Sequence, residues 1–271
     1  MVKNKYLLFV INTVHNSIKS FGMIFEKAIW FIFKYSKFKS ILRNDYGITR
    51  INSLNPSSWK KNAKYFKAEN DSGQKYFVKV VRWGNQIENE YAVLSEIDRL
   101  FDEYSGNFPR YVGHLNNEWI SFIVVNWIDG CTLDEFLSDN EGLSDNIKND
   151  LYSQLCTILN IIQFIEIVHR DIKPQNFMVE KNGDDLKVIL IDFAFAIGCC
   201  GNSRNVKLYE VVNKYNPLRF VGEHYKPSVL HWDDAYAFLK ISNQYNITNN
   251  PAFFSERVNK CYYSIEMDSL D

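Results

Sequence analysis

Residues 169–176 read His-Arg-Asp-Ile-Lys-Pro-Gln-Asn, and sixteen residues after the last of them comes Asp192-Phe193-Ala194. The first stretch places a carboxylate (Asp171), an ammonium (Lys173) and a carboxamide (Asn176) on one short loop. A second carboxylate, Asp192, follows an apolar run that is typical of a short strand. Carboxylate and amide oxygens are hard ligands of the kind that Mg²⁺ prefers. The two stretches together indicate a metal-dependent site on loops.

The first stretch matches the protein-kinase catalytic loop, H-R-D-x-K-x-x-N, and the second resembles the D-F-G motif with alanine in place of glycine. The chain therefore resembles the protein-kinase superfamily, over about residues 45–240. The resemblance implies an α+β, two-lobed protein-kinase-like fold with a small β-rich N-lobe and a mainly helical, shortened C-lobe. It also implies ATP as the nucleotide and Mg²⁺ as its metal.

The resemblance assigns catalytic roles to the loop residues. Asp171 would accept or orient the proton of the acceptor hydroxyl, and Lys173 would contact the transferring phosphate. Asn176 and Asp192 would be the metal ligands. We expect proton transfer to Asp171 to contribute modestly to the rate, and positioning of the reactants to contribute most, because the transition state of phosphoryl transfer is loose.

The nucleotide-binding residues are expected upstream of this loop. Lys79 lies in a predicted strand and matches the lysine that grips the α- and β-phosphates. Glu88 and Glu90 both qualify by position as its partner, and the stretch that begins at Glu90 better resembles the family's E-x-x-x-L pattern. The backbone of Asn126 and Ile128 is expected to meet the adenine edge at the hinge between the lobes.

The predicted nucleotide site departs from the family pattern. No G-x-G-x-x-G precedes Lys79, and the corresponding loop, 54–62, contains no glycine. Side chains that could bind phosphate there are Ser57, Ser58, Lys60 and Lys61. Phe77 replaces the alanine that usually roofs the adenine, so its ring either blocks the pocket or stacks on the base. The similar aminoglycoside phosphotransferases carry an aromatic ring here, which favours stacking.

The end of the chain also departs from the family. Asp234 resembles the acid that begins a C-lobe helix and braces the catalytic loop, with Asp233 as the neighbouring alternative. Only 37 residues follow Asp234, fewer than a full kinase C-lobe uses. Ala194 in place of glycine is expected to restrict the backbone after Asp192 without removing the metal ligand.

Composition and charge narrow the setting. The 271 residues carry a net charge of −1, which gives no whole-chain reason to expect nucleic acid as a partner. Five cysteines without regular spacing predict reduced thiols and a cytoplasmic protein. Residues 1–43 hold eight basic residues and one acidic residue, a balance of +7. This basic amphipathic segment either contacts a membrane surface peripherally through residues 1–40, on its cytoplasmic face, or forms helices that pack on the lobes.

The pattern divides the chain into the basic segment 1–43, an N-lobe at 44–126 and a C-lobe at 127–271. Alternating and β-branched runs predict strands at 48–52, 64–68, 76–81, 119–125, 177–179 and 188–191. Helical periodicity predicts helices over 87–100 and 147–164.

Three functions are compatible with these residues. A serine/threonine-type protein kinase, transferring the γ-phosphate of Mg-ATP to a hydroxyl acceptor, is favoured by the catalytic loop. A small-molecule, sugar or membrane glycolipid kinase is favoured by the glycine-poor loop, Phe77, the short C-lobe and the basic amphipathic N-terminal segment. A pseudokinase that acts as a binding module is the third, and the presence of Lys79, Asp171, Asn176 and Asp192 argues against it.

Overall fold

Five antiparallel strands form the sheet of the first lobe in the computed structural model, which describes residues 29–54, 63–81, 83–101, 105–140, 142–183, 185–198, 208–209, 220–261 and 263–266. The strand order is β1-β2-β3-β5-β4. The strands are β1 (Ile48–Ser53), β2 (Ala63–Asn70), β3 (Lys75–Val81), β4 (Tyr111–Asn116) and β5 (Ser121–Asn126).

The two faces of this sheet are covered by different helices. Along β3, Val78 and Val80 point to an outer core, while Phe77 and Lys79 point to the inner face, because successive side chains of a strand alternate. Helix α1 (Tyr35–Tyr46) packs on the outer face. With both faces covered, β3 and β5 read as nearly continuous apolar runs.

Helix α1 follows a π-helical turn, Trp30–Lys34, and buries Phe38 and Leu42 completely. The Phe38 ring centroid lies 5.3 Å from that of Phe66 on β2 and 5.5 Å from that of Phe122 on β5. For residues 35–43 the structure therefore shows the packed alternative, whereas Ile32 and Phe33 before them are exposed. Residues 1–28 lie outside the described residues, and the division at residue 43 stays a prediction.

Helix α2 (Gly84–Leu100) packs on the inner face through an apolar stripe. It starts three residues before the predicted helix. Its buried residues include four polar ones, Gln86, Asn89, Glu90 and Glu96, beside Val93, Leu94 and Ile97. Glu90 bonds Lys79 on β3 and Asn89 bonds the backbone of Ala194, so the helix links the sheet to the segment after Asp192.

The second lobe combines helices with small strands. Its helices are α3 (Leu133–Asp139), α4 (Asp145–Phe164), α5 (Asp234–Gln244) and α6 (Ala252–Ser255). A three-stranded sheet joins β6 (Gly130–Thr132), β8 (Phe177–Asn182) and β9 (Asp185–Leu190). Two short pairs join β7 (Ile167–Val168) with β10 (Ile197–Gly198), and β11 (His231–Asp233) with β12 (Ser264–Glu266).

Element boundaries differ from the predicted ones where a polar side chain bonds the backbone. The Asn117 Oδ1 accepts hydrogen bonds from the backbone N–H groups of Trp119 and Ile120, both at 2.9 Å, and forms a turn. As a result β5 begins at Ser121 rather than Trp119. Ser144 caps α4 by accepting from the Ile147 N–H, so this helix begins two residues before its predicted start.

The predicted α+β class, with a β-rich first lobe followed by helices, is confirmed. Within the ranges described above, no helix has both the length and the apolarity needed to cross a membrane.

Candidate active site

The catalytic loop is held from beneath by an acid of the second lobe. The loop runs from β7 to a 3-10 turn, Pro174–Asn176, that leads into β8. The Asp234 carboxylate accepts hydrogen bonds from the backbone N–H of His169 at 2.6 Å and of Arg170 at 3.2 Å. Burial raises the pKa of Asp234 to about 7, against the effect of these two donors. The neighbouring Asp233 instead caps α5, accepting from the Tyr236 N–H at 2.8 Å.

Asp171 is held on both carboxylate oxygens. Oδ2 lies 3.0 Å from the Lys173 Nζ and accepts from the Asn176 Nδ2 at 3.0 Å. Oδ1 accepts from the Gly222 N–H at 2.7 Å. Gly222 has φ +77°, and a Cβ at this position would lie 2.8 Å from the Arg170 carbonyl oxygen, so the close approach requires glycine. The loop residues predicted to be catalytic thus lie together.

A second cluster joins the two lobes. The Lys79 Nζ donates to the Glu90 Oε2 at 2.9 Å and to the Asp192 Oδ1 at 2.7 Å. Burial of Lys79 disfavours its charge, but Asp192 and Glu90 outweigh this and raise the pKa of the ammonium. Conversely, burial opposes ionisation of Asp192, and Lys79 nevertheless lowers the pKa of that carboxyl. Glu88, the alternative partner, instead accepts from Asn116 on the neighbouring strand.

The predicted metal ligands lie at one end of the β8–β9 hairpin. The Ile191 N–H, next to Asp192, donates to the backbone oxygen of Asn176 at 2.9 Å. Within the described residues, the Asn176 Oδ1 and the Asp192 Oδ2 have no hydrogen-bond partner. One amide and one carboxylate oxygen fit Mg²⁺, which is usually bound by few protein ligands together with phosphates.

The backbone around Asp192 is unusual. Asp192 has φ +68°, a conformation that is uncommon outside glycine and is concentrated at functional sites. Ala194 lies within a 3-10 turn, Phe193–Phe195, where alanine fits without strain. The Phe193 ring packs edge-on against the His169 ring with centroids 4.8 Å apart. The strained backbone is therefore that of Asp192, and Ala194 takes the place of the usual glycine without strain.

A cavity of about 400 Å³ lies between the lobes next to these groups. This volume is within the usual range of small-molecule sites. Its walls are mostly apolar, with Leu94, Ile123, Val125 and Met178 among them. Asn126 and Ile128, the predicted hinge residues, line it, as does Phe77. The structure thus brings the hinge, Lys79 and Asp192 to one cavity, whereas Ser57 and Ser58 lie outside the described residues.

Sequence reasoning missed two residues at the site. Tyr65 on β2 lines the same cavity, and its ring stacks on that of Phe77 with centroids 5.8 Å apart and planes at 21°. The only signal in the sequence is an aromatic residue in a strand, which is ordinary.

Asn89 is the other missed residue, and it is fully buried. Its Nδ2 donates to the backbone oxygens of Tyr209 at 2.8 Å and Ala194 at 3.2 Å, and its Oδ1 accepts from the Tyr209 N–H at 2.7 Å. The residue next to Glu90 thus ties α2 to the segment after Asp192. The sequence signal was an asparagine inside an apolar helix, where it is a poor helix former.

Comparison with known proteins agrees with this geometry. A family model described as the protein kinase domain matches residues 61–248. The chain is similar to the serine/threonine-protein kinase PknA of Nostoc sp., with 30% identity over 108 residues, 40% of this chain and 18% of that protein. It is also similar to serine/threonine-protein kinase D of Synechocystis sp., with 31% identity over 107 residues, 40% of this chain and 19% of that protein.

A third relative is the serine/threonine-protein kinase PknB of Mycolicibacterium smegmatis. The identity is 31% over 84 residues, which make up 31% of this chain and 13% of that protein. The chain therefore matches less than a fifth of the length of these three relatives.

Proposed function

Because the chain belongs to the protein kinase family, we propose that it transfers the γ-phosphate of Mg-ATP to serine or threonine hydroxyls of protein acceptors. The observation that carries the proposal is the Lys79 ammonium, bonded at once to Glu90 on α2 and to Asp192 beyond the catalytic loop. The three groups belong to three separate parts of the chain. An ionic cluster of this kind, with Lys79 and Glu90 buried and Asp192 partly exposed next to an apolar cavity, is the expected form of a phosphate-binding site.

Each group has a role in this proposal. The Lys79 ammonium binds the phosphate chain, and Glu90 fixes its position. Asp171 orients the acceptor hydroxyl and accepts its proton, and Lys173 beside it offsets charge on the transferring phosphate. Asn176 and Asp192 would hold Mg²⁺, which neutralises charge on the β- and γ-phosphates. Asn126 and Ile128 would hold the adenine edge by their backbone.

The proteinaceous acceptor is supported by the relatives, whose names describe serine/threonine-protein kinases. A small-molecule, sugar or glycolipid acceptor is the alternative. Its support is the aromatic pair of Tyr65 and Phe77 in the cavity, because the similar aminoglycoside phosphotransferases also carry an aromatic ring at the position of Phe77. A pseudokinase is disfavoured, because a scaffold has no use for Lys79, Asp171 and Asp192 in this arrangement.

The test is incubation of the purified chain with labelled ATP, Mg²⁺, generic protein acceptors and, separately, a sugar and lipid extract. We expect label on protein, reduced roughly a hundredfold in Asp171→Asn. Asp145→Asn, an exposed carboxylate in the first turn of α4, is the matched control and should keep wild-type transfer. Label on the extract alone would favour the small-molecule alternative, and ATP binding without any transfer would favour the pseudokinase.

We also propose a peripheral membrane contact of a cytoplasmic protein through residues 1–40. Its support is the exposure of Ile32 and Phe33, at 69% and 70%, next to Lys34 and within the segment of charge +7. A basic segment with exposed apolar side chains binds anionic lipid surfaces. Co-sedimentation with phosphatidylserine vesicles should fall in Ile32→Ser/Phe33→Ser and remain in Val229→Ser, an exposed apolar residue elsewhere. Equal sedimentation of both variants would remove the proposal.

A further inference from the structure

Tyr65 carries a hydroxyl whose place in the cleft is not explained by contacts within the protein. It lies directly opposite Lys79 in the pairing of β2 with β3, so the two side chains leave the sheet on the same face. Within the described residues the hydroxyl has no hydrogen-bond partner. Tyrosine hydroxyls in partly buried places usually find one. A ligand bound in the cavity that Tyr65 lines would supply one.

The ring and the hydroxyl of Tyr65 have different surroundings. The ring packs against Phe77, which fixes its plane within the apolar roof of the cavity. The hydroxyl lies in the field of the ionic cluster. Burial raises the pKa of the Tyr65 phenol, Asp192 and Glu90 add to this, and Lys79 and Lys173 oppose it. The phenol therefore keeps its proton at neutral pH and can act as a donor.

The position of this donor coincides with a gap in the nucleotide site. Glycine-rich loops bind phosphate through closely approaching backbone N–H groups, and residues 54–62 contain no glycine. Tyr65 comes three residues after this loop, on the strand that the loop enters. Its side chain leaves the sheet beside Lys79, and the charges of both Lys79 and Lys173, the groups assigned to the phosphate chain, act on its hydroxyl.

We propose that the Tyr65 hydroxyl donates a hydrogen bond to a phosphate oxygen of the bound nucleotide and so replaces a contact that a glycine-rich loop would make. The inference rests on the proposed nucleotide site, because the acceptor is a nucleoside polyphosphate. The Tyr65 ring, stacked on Phe77, positions the donor. Tyr65 is thus a determinant of affinity for the phosphate chain and not for the base.

The test compares the Kd of wild type and Tyr65→Phe for Mg-ATP, Mg-ADP and adenosine by calorimetry. The variant deletes the hydroxyl and keeps the ring. A hydrogen bond to a charged acceptor contributes about 1.5–3 kcal/mol, so we expect Mg-ATP to bind roughly ten- to a hundredfold more weakly. Adenosine should bind as it does to wild type. Loss with Mg-ATP but not with Mg-ADP would assign the contact to the γ-phosphate.

Tyr76→Phe is the matched control. Tyr76 lies two residues before Val78 on β3, so its side chain points to the outer core rather than to the cavity. There its hydroxyl accepts a hydrogen bond from the Asn70 Nδ2 at 3.1 Å. It should leave all three affinities unchanged. Equal Mg-ATP affinity of wild type and Tyr65→Phe would overturn the inference, as would an equal loss for adenosine. Failure of the wild type to bind Mg-ATP would instead overturn the proposed function itself. A thermal melt of Tyr65→Phe within a few degrees of wild type establishes that the variant is folded.

Discussion

At the scale of single residues, the Lys79 pair shows how far spacing alone decides a partner. Glu88 and Glu90 lie two positions apart on α2, and a resemblance to E-x-x-x-L was the reason to prefer Glu90. In the structure the two side chains leave the helix in different directions, Glu90 to Lys79 and Glu88 to Asn116. Side chains two apart on a helix do not share a face, so the helix phase decides which is buried.

This difference predicts unequal effects of two identical substitutions. Glu90→Gln removes the charge that fixes the buried Lys79 ammonium, so kcat/KM for ATP should fall at least about tenfold, or about 1.4 kcal/mol. Glu88→Gln, on the same helix, should stay within about twofold of wild type. Steady-state transfer assays measure both. Equal effects would show that the helix charge matters and the ion pair does not.

The adjacent acids Asp233 and Asp234 make the same point at the catalytic loop. Asp234 receives two backbone N–H groups of the loop, whereas Asp233 caps α5 and accepts from the Asn259 N–H at 2.6 Å. Asp234→Asn leaves one side-chain oxygen for two donors, so kcat should fall with little change in the Kd for ATP. Asp233→Asn should lower the Tm, since loss of a cap costs about 1 kcal/mol, and leave kcat nearly unchanged. Loss of kcat in Asp233→Asn, with kcat retained in Asp234→Asn, would contradict the assignment of Asp234 as the residue that holds the catalytic loop.

At the scale of elements, α2 is the part that connects the sheet with the segment after Asp192. Hydrophobic periodicity predicted this helix, and its start was missed because Trp83 at the N-cap makes no side-chain cap. The hydrogen-bond partners of this helix could not be predicted, because Asn89 bonds backbone groups that lie more than a hundred residues away in the sequence. Sequence patterns report which side of a helix is apolar, and they carry no information on distant backbone.

Asn89 is therefore predicted to act as a positioning residue for the backbone of Ala194, Ala196 and Tyr209. Asn89→Leu keeps similar volume but removes the partner of four backbone groups, the N–H and oxygen of Tyr209 and the oxygens of Ala194 and Ala196. Amide hydrogen exchange at residues 193–198 should speed up, and phosphate transfer should decrease more than ATP binding. Asn44→Leu, an asparagine on the exposed side of α1, is the control and should change neither. Unchanged exchange in Asn89→Leu would show that the segment is held by other contacts.

The same limit applies to the strands of the first lobe. The sequence pattern predicts strands β2 and β3. The contribution of β2 to the site depends on its register with β3, which places Tyr65 opposite Lys79. A shift by one residue would turn Tyr65 to the outer core. Register depends on the turn between the strands and on burial of Phe66 and Ala68, so Tyr65 could not be placed at the site from its own neighbourhood.

At the scale of the whole molecule, the remaining ambiguity of the sequence was the basic N-terminal segment. An amphipathic stretch rich in aromatic residues has the same pattern whether its apolar face meets lipid or a protein core. In the structure, Phe38 contacts Phe66 and Phe122 on two strands of the sheet, while Phe33, five residues earlier, is 70% exposed. Residues 35–46 are therefore part of the first lobe's core, and the exposed side chains lie at their N-terminal edge.

Two phenylalanines five residues apart give the decisive comparison. Phe38→Ala opens a cavity under the sheet and should lower the free energy of unfolding by about 3–5 kcal/mol. Phe33→Ala removes an exposed ring and should change it by less than about 0.5 kcal/mol in the absence of lipid. Denaturant unfolding followed by tryptophan fluorescence measures both. Since Lys79 is on the strand between those that hold Phe66 and Phe122, Phe38→Ala should also weaken ATP binding at temperatures near its Tm. Equal stability of the two variants would mean that α1 is an appendage of the lobe, and the outer face of the sheet would then need another cover.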